Sequence, residues 1–521
     1  MKLSAFRNKI KHLFLGMLTM RVVKNPQMQF GETDISKIKF DPKSRDDIPK
    51  ILKGLQHIYL NNSIREKVFF LLEKKVAPNV NKNNGRPGME LWKIFVMGIL
   101  RLDLNIDYDR LHHLVNYDAL IRQMLGHGDF DNGGNYELKT IKANVSLLTP
   151  ELLDEINQIV VEAGHLLIKK KENVLLRGRC DSFAVETNVH YPTDINLLYD
   201  AMRKVITLSA ELCERHGLSD WRQSAYNVKQ IKRSMRTAQN KKRTRASTEE
   251  QKKKREAAII EAHQIYMDVS KKYLNKAYST LEIATKSGFL KLADMQLIGD
   301  IKNFASHAER QIDQIKRRVI FGEVIPHHEK VFSLFQPHTE WIVKGKAGVP
   351  VELGVKVCLI EDQYQFILHH QVMEKKTDNQ VAIPMIMETK ARFQDLKSCS
   401  FDKGFHSPEN QEILNKQLDI AALPRKGRLS QQARMIEKSE EFRRARDKHS
   451  AVESAINALE VHGLDMCPDH GIDGFKRYVA LAIVARNIHR IGDILKAREQ
   501  KSEKRKKKKY TKEKALIKLA A

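Results

Sequence analysis

The chain has 521 residues, a formal net charge of +27 and a sequence pI near 9.6. That length exceeds what one hydrophobic core usually serves, so about two to four domains are expected, and a hydrophobic fraction of 42% excludes wholesale disorder. A positive excess of this size points to a polyanion, nucleic acid before anionic membrane.

Five scattered cysteines, Cys180, Cys213, Cys358, Cys399 and Cys467, form no CxxC pair. This argues for free thiols in a reducing compartment and against a zinc knuckle or disulfide framework; Cys467-Pro468-Asp469-His470 reads as a loop. The short apolar stretch His12–Leu18 has no small-residue cleavage pattern and is followed by Arg21 and Lys24, so it is not read as a signal peptide. No apolar run reaches the length of a membrane span, and a soluble, cytoplasmic protein without a membrane partner is expected.

In chain order, the first part reads as helices. Arg86-Pro87-Gly88 precedes Leu91, Ile94, Phe95, Gly98 and Leu102, which fall on one helix face, and Pro87 suits the entry to that helix. Asp109 to Leu125 continues the helical pattern. Thr149-Pro150-Glu151 predicts a capped helix start, and its helix runs through Ile156, Val160 and Leu167. After Val174 the period changes to two: Phe183, Val185, Thr187 and Val189 predict a strand with Asp181 in phase. Tyr191-Pro192-Thr193-Asp194 ends it, with Asp194 read as the next helix cap. From Leu197 to about Ile325 the chain reads as helical and basic, with Lys229, Lys232, Arg233 and Arg236 on one face. Strands return at Val351–Leu359 and Tyr364–Val372 as a hairpin, then at Ser398–Phe401 and Ile420–Pro424, separated by a helix over Ala382–Arg392. Helices are predicted over Ser450–Val461 and Gly474–Leu495. The tail from Lys496, with Lys504–Lys509, is too charged to fold alone. Strands on both sides of a helical block must share one sheet.

Three dispersed acids stand at element ends: Asp181, Asp402 and Glu453. Each has an ordinary structural alternative. Asp181 would serve as partner to Arg177 or Arg179, since a charge on an apolar strand face must be paired or metal-bound. Asp402-Lys403-Gly404 would be an aspartate turn. Ser450-x-x-Glu453 fits a capping box. Taken together on a basic chain, they match what two-metal phosphodiester transfer needs, namely a few rigidly placed carboxylates and hard cations.

The surrounding residues resemble the DDE transposases of bacterial insertion sequences, and within them the ISNCY group. The resemblance rests on Asp181 to Glu186 followed by Thr187-Asn188-Val189-His190-Tyr191-Pro192-Thr193-Asp194, on Asp402-Lys403-Gly404-Phe405-His406-Ser407, and on Val452-Glu453-Ser454-Ala455-Ile456-Asn457-Ala458-Leu459 with Arg446 upstream. The segment Ala480–Arg490 is similar to the closing helix of these proteins, and Gly85-Arg86-Pro87-Gly88 to the entry of their N-terminal helical domain. The chain departs from one large relative class: Arg446, His449 and Glu460 stand around Glu453 where that class has Tyr, Arg and Lys, and the long insertion lies between Asp181 and Asp402.

The resemblance implies an α/β fold, an RNase H-like mixed sheet core with an all-helical insertion. The expected organisation is an N-terminal helical DNA-binding or dimerisation domain over 1–165, the catalytic core over 166–200 and 329–495, a basic helical insertion over 201–328, and a disordered basic tail over 496–521. Asp181, Asp402 and Glu453 would be catalytic and metal-binding, holding two Mg²⁺ with Mn²⁺ as a substitute. The implied partner is double-stranded DNA, both the element's terminal inverted repeats and target DNA, in a homodimer at the bacterial nucleoid. The implied reaction is hydrolysis at the element ends and joining of 3′ ends to target. A nuclease of the same fold that cuts without joining, or a non-catalytic DNA-binding relative, are the alternatives. Lys229, Lys232, Arg233, Arg236, Lys241, Lys242, Arg243, Arg245 and Arg446 are the expected DNA-backbone contacts, with Lys252–Arg255 and Lys504–Lys509 as further basic clusters; the other reading of such faces is simple solvation.

Overall fold

The computed structural model describes residues 19–25, 27–28, 31–76, 86–128, 135–168, 174–286, 291–343 and 350–520; the stretch His12–Leu18 lies outside them. The chain forms a mixed α/β unit, Met1–Asn188 with Ile342–Ala521, and a helical unit, Val189–Trp341.

In the first unit, helices α1 (Ile48–Leu60), α2 (Asn62–Val76), α3 (Leu91–Asp103), α4 (Tyr108–Tyr117), α5 (Ala119–Met124), α6 (Leu138–Val145) and α7 (Pro150–Leu167) precede the sheet. Their starts follow from local chemistry. Asp107 accepts from the Arg110 N–H, Asp118 from Ile121 and Thr149 from Leu152, with Pro150 at the first helical position. Asp118 divides what the sequence reads as one helix into two. Arg86–Pro87 forms a short strand beside Thr19–Met20 rather than a helix entry. Helix α3 is buried on nearly every face, as expected of a helix that passes through a core.

Strand β1 (Leu176–Thr187) then leads into the helical unit, and the chain returns through β2 (Glu340–Val343), β3 (Val351–Asp362), β4 (Ile367–Val372), α8 (Asp378–Arg392), β5 (Leu396–Phe401), α9 (Pro408–Gln417), β6 (Ile420–Ala422), α10 (Gln431–Lys438), α11 (Glu440–Asp447), α12 (Ala451–Leu459), β7 (Met466–Cys467) and α13 (Gly471–Ala520). The seven strands make one open mixed sheet in the order β2-β3-β1-β5-β6, with β4 also on β3 and β7 also on β1. Strand β3 is antiparallel to β1, whereas β5 and β7 are parallel to it.

One hydrophobic core runs from Ile35 to Ile491, so the N-terminal helices, the sheet and α13 are packed together rather than forming separate domains. In the helix predicted over Gly474–Leu495, Phe475, Val479, Ala482, Ile483, Ile488 and Ile491 are buried. Asn487 locks α13 to the sheet. Its amide donates to Asn157 (2.7 Å) and to the Ile367 carbonyl (2.9 Å), and its oxygen accepts from the Ile367 N–H (2.9 Å). The tail expected to be disordered instead extends α13 to Ala520. A helix already nucleated needs no new nucleus to propagate, and Lys, Arg and Glu are good helix formers.

Helices α1 and α13 approach at two glycines. A Cβ on Gly54 would sit 2.2 Å from the Ile488 carbonyl oxygen, and one on Gly492 would sit 2.0 Å from that of Lys50. Gly54→Val and Gly492→Val should each destabilise the protein by about 2–3 kcal/mol through overpacking. The check is the denaturant midpoint followed by circular dichroism; an unchanged midpoint would show that the crossing tolerates side chains.

The second unit contains long helices over Asp194–Arg215, Ser224–Arg243, Glu249–Lys286 and Leu292–Ile315, in agreement with the helical reading of this region. They pack around Leu198, Val205, Ile231, Tyr266 and Met267. Thr193, not Asp194, caps the first of them, accepting from the Asn196 N–H. The unit begins at Val189, so His190–Asp194 falls within it rather than in the sheet unit.

Candidate active site

Strand β1 carries the centre of the site. One of its edges is taken by β3, from Gly178↔Asp362 to Glu186↔Gly354. On the other edge β5 pairs up to Cys180↔Phe401, and β7 resumes the pairing only at Glu186↔Met466. Among the described residues, Asp181 to Val185 therefore has no strand partner on that edge. Asp402 follows Phe401 directly. In a parallel pair the next position stands beside Asp181, about 4.8 Å away between backbones. Helix α12 packs on β1 and carries Glu453 in its first turn. Ser400 on β5 bonds His449 Nδ1 at 3.0 Å and so ties the turn before α12 to the same sheet edge.

The electrostatics register this placement. Burial pushes the Asp181 carboxyl up to about 6; repulsion from Asp402, Asp378 and Glu453 adds to this, while the Ser182 N–H opposes it. Burial lowers the His449 pKa, and Asp402 and Glu453 oppose that shift. His449 Nε2 is buried with no hydrogen-bond partner.

None of the ordinary structural roles is taken up. Arg179 pairs with Glu361 at 3.0 Å, not with Asp181; Asp181 accepts the N–H of its neighbour Ser182 at 2.7 Å. Asp402 makes no side-chain cap bond to the turn that follows it. Ser450 makes no cap bond, and the capping box with Glu453 is absent. Among the described residues the three acids have no Lys, Arg or His ion-pair partner. They are nevertheless not drawn into a closed ligand set: no group of three His, Cys, Asp or Glu side chains among the described residues has metal-holding geometry. The chemistry of the donors fits a hard divalent cation, being all oxygen, with one carboxylate half-buried and without an ion-pair partner and an orphaned histidine nitrogen beside them.

Sequence reasoning missed four neighbours. Ser182 Oγ donates to Asp378 Oδ1 at 2.6 Å, and Lys356 Nζ reaches both Asp378 oxygens at 3.1 and 3.2 Å. A Cβ on Gly404 would lie 3.0 Å from Asp378 Oδ2, which places this acid beside the loop after Asp402. In the sequence Asp378 looks like an ordinary acid in the first turn of a helix behind Thr377, and its proximity to Ser182 depends on the β1–β3 register. His449 is visible there only as a departure from a motif.

Eight of the nine residues expected to contact the DNA backbone belong to the helical unit, Arg446 being the exception. Lys229, Lys232, Arg233 and Arg236 are exposed along one helix face, opposite buried Ile231, Met235 and Ala238. They have no acidic partner among the described residues. Lys241, Lys242, Arg243 and Arg245 are exposed at that helix's end. In the next cluster, Lys252 and Lys254 are paired with Glu249 (2.6 Å) and Glu250 (2.7 Å), which reduces its charge. Arg446 is exposed on α11, 3.7 Å from Asp447. No membrane-spanning helix is present among the described residues.

Compared with known proteins, the chain matches no family model, no curated protein and no solved structure.

Proposed function

We propose that the protein is a metal-dependent enzyme that cuts DNA strands and joins 3′ ends to target DNA, a DDE-class transposase with an RNase H-like core. The observation that carries this reading is the placement of Asp402 one register step past the Cys180–Phe401 pair, beside half-buried Asp181, with neither acid given an ion-pair partner among the described residues. The strand order β4-β3-β1-β5-β6, in which β3 alone is antiparallel to β1, supports the RNase H-like assignment.

Asp181, Asp402 and Glu453 would hold Mg²⁺ or Mn²⁺, whose chemistry is to activate the attacking oxygen and neutralise charge on the leaving one. The chain's own part is placement. Asp181 is fixed on a central strand, Asp402 at a strand end and Glu453 on a helix packed against the strand of Asp181. In the tautomer where Ser400 Oγ donates to His449 Nδ1, His449 Nε2 carries the proton and donates to a phosphodiester oxygen. Ser182 and Lys356 hold Asp378 at the rim. Joining two element ends requires two such centres, for which a two-fold dimer on DNA is the simplest assembly.

The test is a Mg²⁺-dependent reaction on duplexes carrying the sequences that flank the coding gene. Strand breaks followed by products joined to a target plasmid are expected. Breaks without joined products would identify a nuclease of the same fold, and no metal-dependent break on any DNA would reject the reading.

The exposed basic face supports backbone binding by counterion release. Changing Lys229, Lys232, Arg233 and Arg236 to Ala should weaken binding to end and random DNA about equally. It should also reduce the slope of log affinity against log salt by about 0.9 for each phosphate that the variant no longer neutralises. Fluorescence anisotropy at several salt concentrations measures this; a variant with an unchanged slope and no remaining preference for end DNA would mean that this face reads bases.

A further inference from the structure

The helical unit contains a pocket of about 260 Å³ that the carboxylate chemistry does not use. Three cations line it, Lys242, Arg318 and Lys330, against one carboxylate, Asp194. Arg318 pairs with Asp194 at 3.0 Å. Neither lysine has an ion-pair partner among the described residues, which leaves two positive charges uncompensated. Burial raises the Asp194 pKa, and all three cations act against that rise.

The remaining wall is aromatic. Trp341 meets Tyr191 with ring centroids 5.8 Å apart and Phe332 at 5.7 Å. Into this space faces His263, which is 0% exposed. Its Nδ1 lies 2.7 Å from the Ile259 carbonyl, an acceptor, and so carries the proton. Its Nε2 is buried and has no partner. Burial, with Lys242 adding to it, lowers the pKa of the ring, which therefore stays neutral and presents Nε2 as a bare acceptor. A buried acceptor left unsatisfied is destabilising, and a ligand N–H or O–H would relieve it.

We propose that this pocket binds one nucleotide unit, its phosphate between Lys242 and Lys330, its base against Trp341, Tyr191 and Phe332, and an N–H or O–H of base or sugar on His263 Nε2. Every base offers a face for aromatic stacking, and a single phosphate matches the two free charges. The volume lies just below the ~300–1,000 Å³ range of small-molecule sites, which favours one nucleotide over two. The unit is either a free nucleotide or an unpaired nucleotide of a DNA strand, and the recognising chemistry is the same. The inference uses none of the catalytic carboxylates and stands apart from the strand-cleavage reading.

The test is a tryptophan-emission titration of the full-length protein with deoxyadenosine monophosphate, deoxyadenosine and inorganic phosphate. Trp92 and Trp221 are buried at 1% and 2% exposure, so Trp341 should report. The monophosphate should quench emission and bind at least about tenfold more tightly than either fragment. In Lys242→Ala/Lys330→Ala, two exposed positions whose change leaves the fold intact by circular dichroism, affinity should fall at least tenfold. Trp341→Phe should remove the quench while calorimetry still detects binding. Phosphate binding as tightly as the monophosphate, wild-type affinity in the double-lysine variant, or no binding at all would each overturn the proposal. A short single-stranded oligonucleotide separates the sources. A lysine-dependent quench at tenfold lower concentration than the monophosphate assigns the site to a DNA strand, and equal concentrations assign it to a free nucleotide.

Discussion

Asp181→Asn, Asp402→Asn and Glu453→Gln should each lower DNA cleavage by at least about three orders of magnitude, which corresponds to ~4 kcal/mol of lost transition-state stabilisation. DNA affinity should stay within about twofold of wild type, because the exposed basic helix face belongs to the helical unit and the three acids to the sheet unit. The losses should not add. Groups that act as one unit fail together, so Asp181→Asn/Asp402→Asn should be no slower than either single variant. Single-turnover cleavage and binding measured on the same duplex check both statements. Parallel loss of binding and cleavage, with altered circular dichroism, would instead make these residues supports of the fold.

Asp181→Asn should also stabilise the protein when divalent cations are absent. The folded-state pKa of Asp181 is raised from 3.8 to about 6. A raised acid binds its proton more tightly in the folded state. Stability is therefore unaffected below about pH 4 and declines as the pH rises through 4 to 6. Above that window the wild-type protein carries a penalty on the order of 2–3 kcal/mol that the asparagine variant avoids. Denaturant unfolding at pH 4 and pH 8 with EDTA should show nearly equal stability at pH 4 and a more stable variant at pH 8. Adding Mg²⁺ at pH 8 should stabilise the wild type and not the variant. A variant less stable than wild type at pH 8 would mean that Asp181 has a structural partner in solution.

Local signals in the sequence are strong where one face of an element meets one environment. The strand through Phe183 and Val185, the cap at Thr149 and the closing helix all appear where expected, although the strand ends at Thr187, short of Val189. Asp181 is legible for the same reason: an acid in phase with an apolar strand face is an anomaly that demands an explanation. Asp402 and Glu453 are legible only jointly, because each alone fits a turn or a cap. What the sequence hides depends on register and tertiary packing. Asp378 reaches Ser182 only through the pairing of β1 with β3. His449 acquires its position from Ser400 on another element. Trp341 stands alone in the sequence because its ring partners, Tyr191 and Phe332, are brought to it by folding. The packing of the N-terminal helices into the sheet's own core is equally invisible, since an amphipathic stripe shows that a face is covered but not by what. The charged tail reads as unable to order only when it is considered apart from the helix it extends.

The most direct measurement of the central claim is anomalous scattering from crystals grown with Mn²⁺ and DNA. The account predicts two manganese peaks about 3.5–4 Å apart, the spacing of two-metal centres, bounded by carboxylate oxygens of Asp181, Asp402 and Glu453. Both peaks should vanish in Asp402→Asn. Manganese bound elsewhere, or a structure in which any of the three acids stays turned away from bound metal, would contradict it.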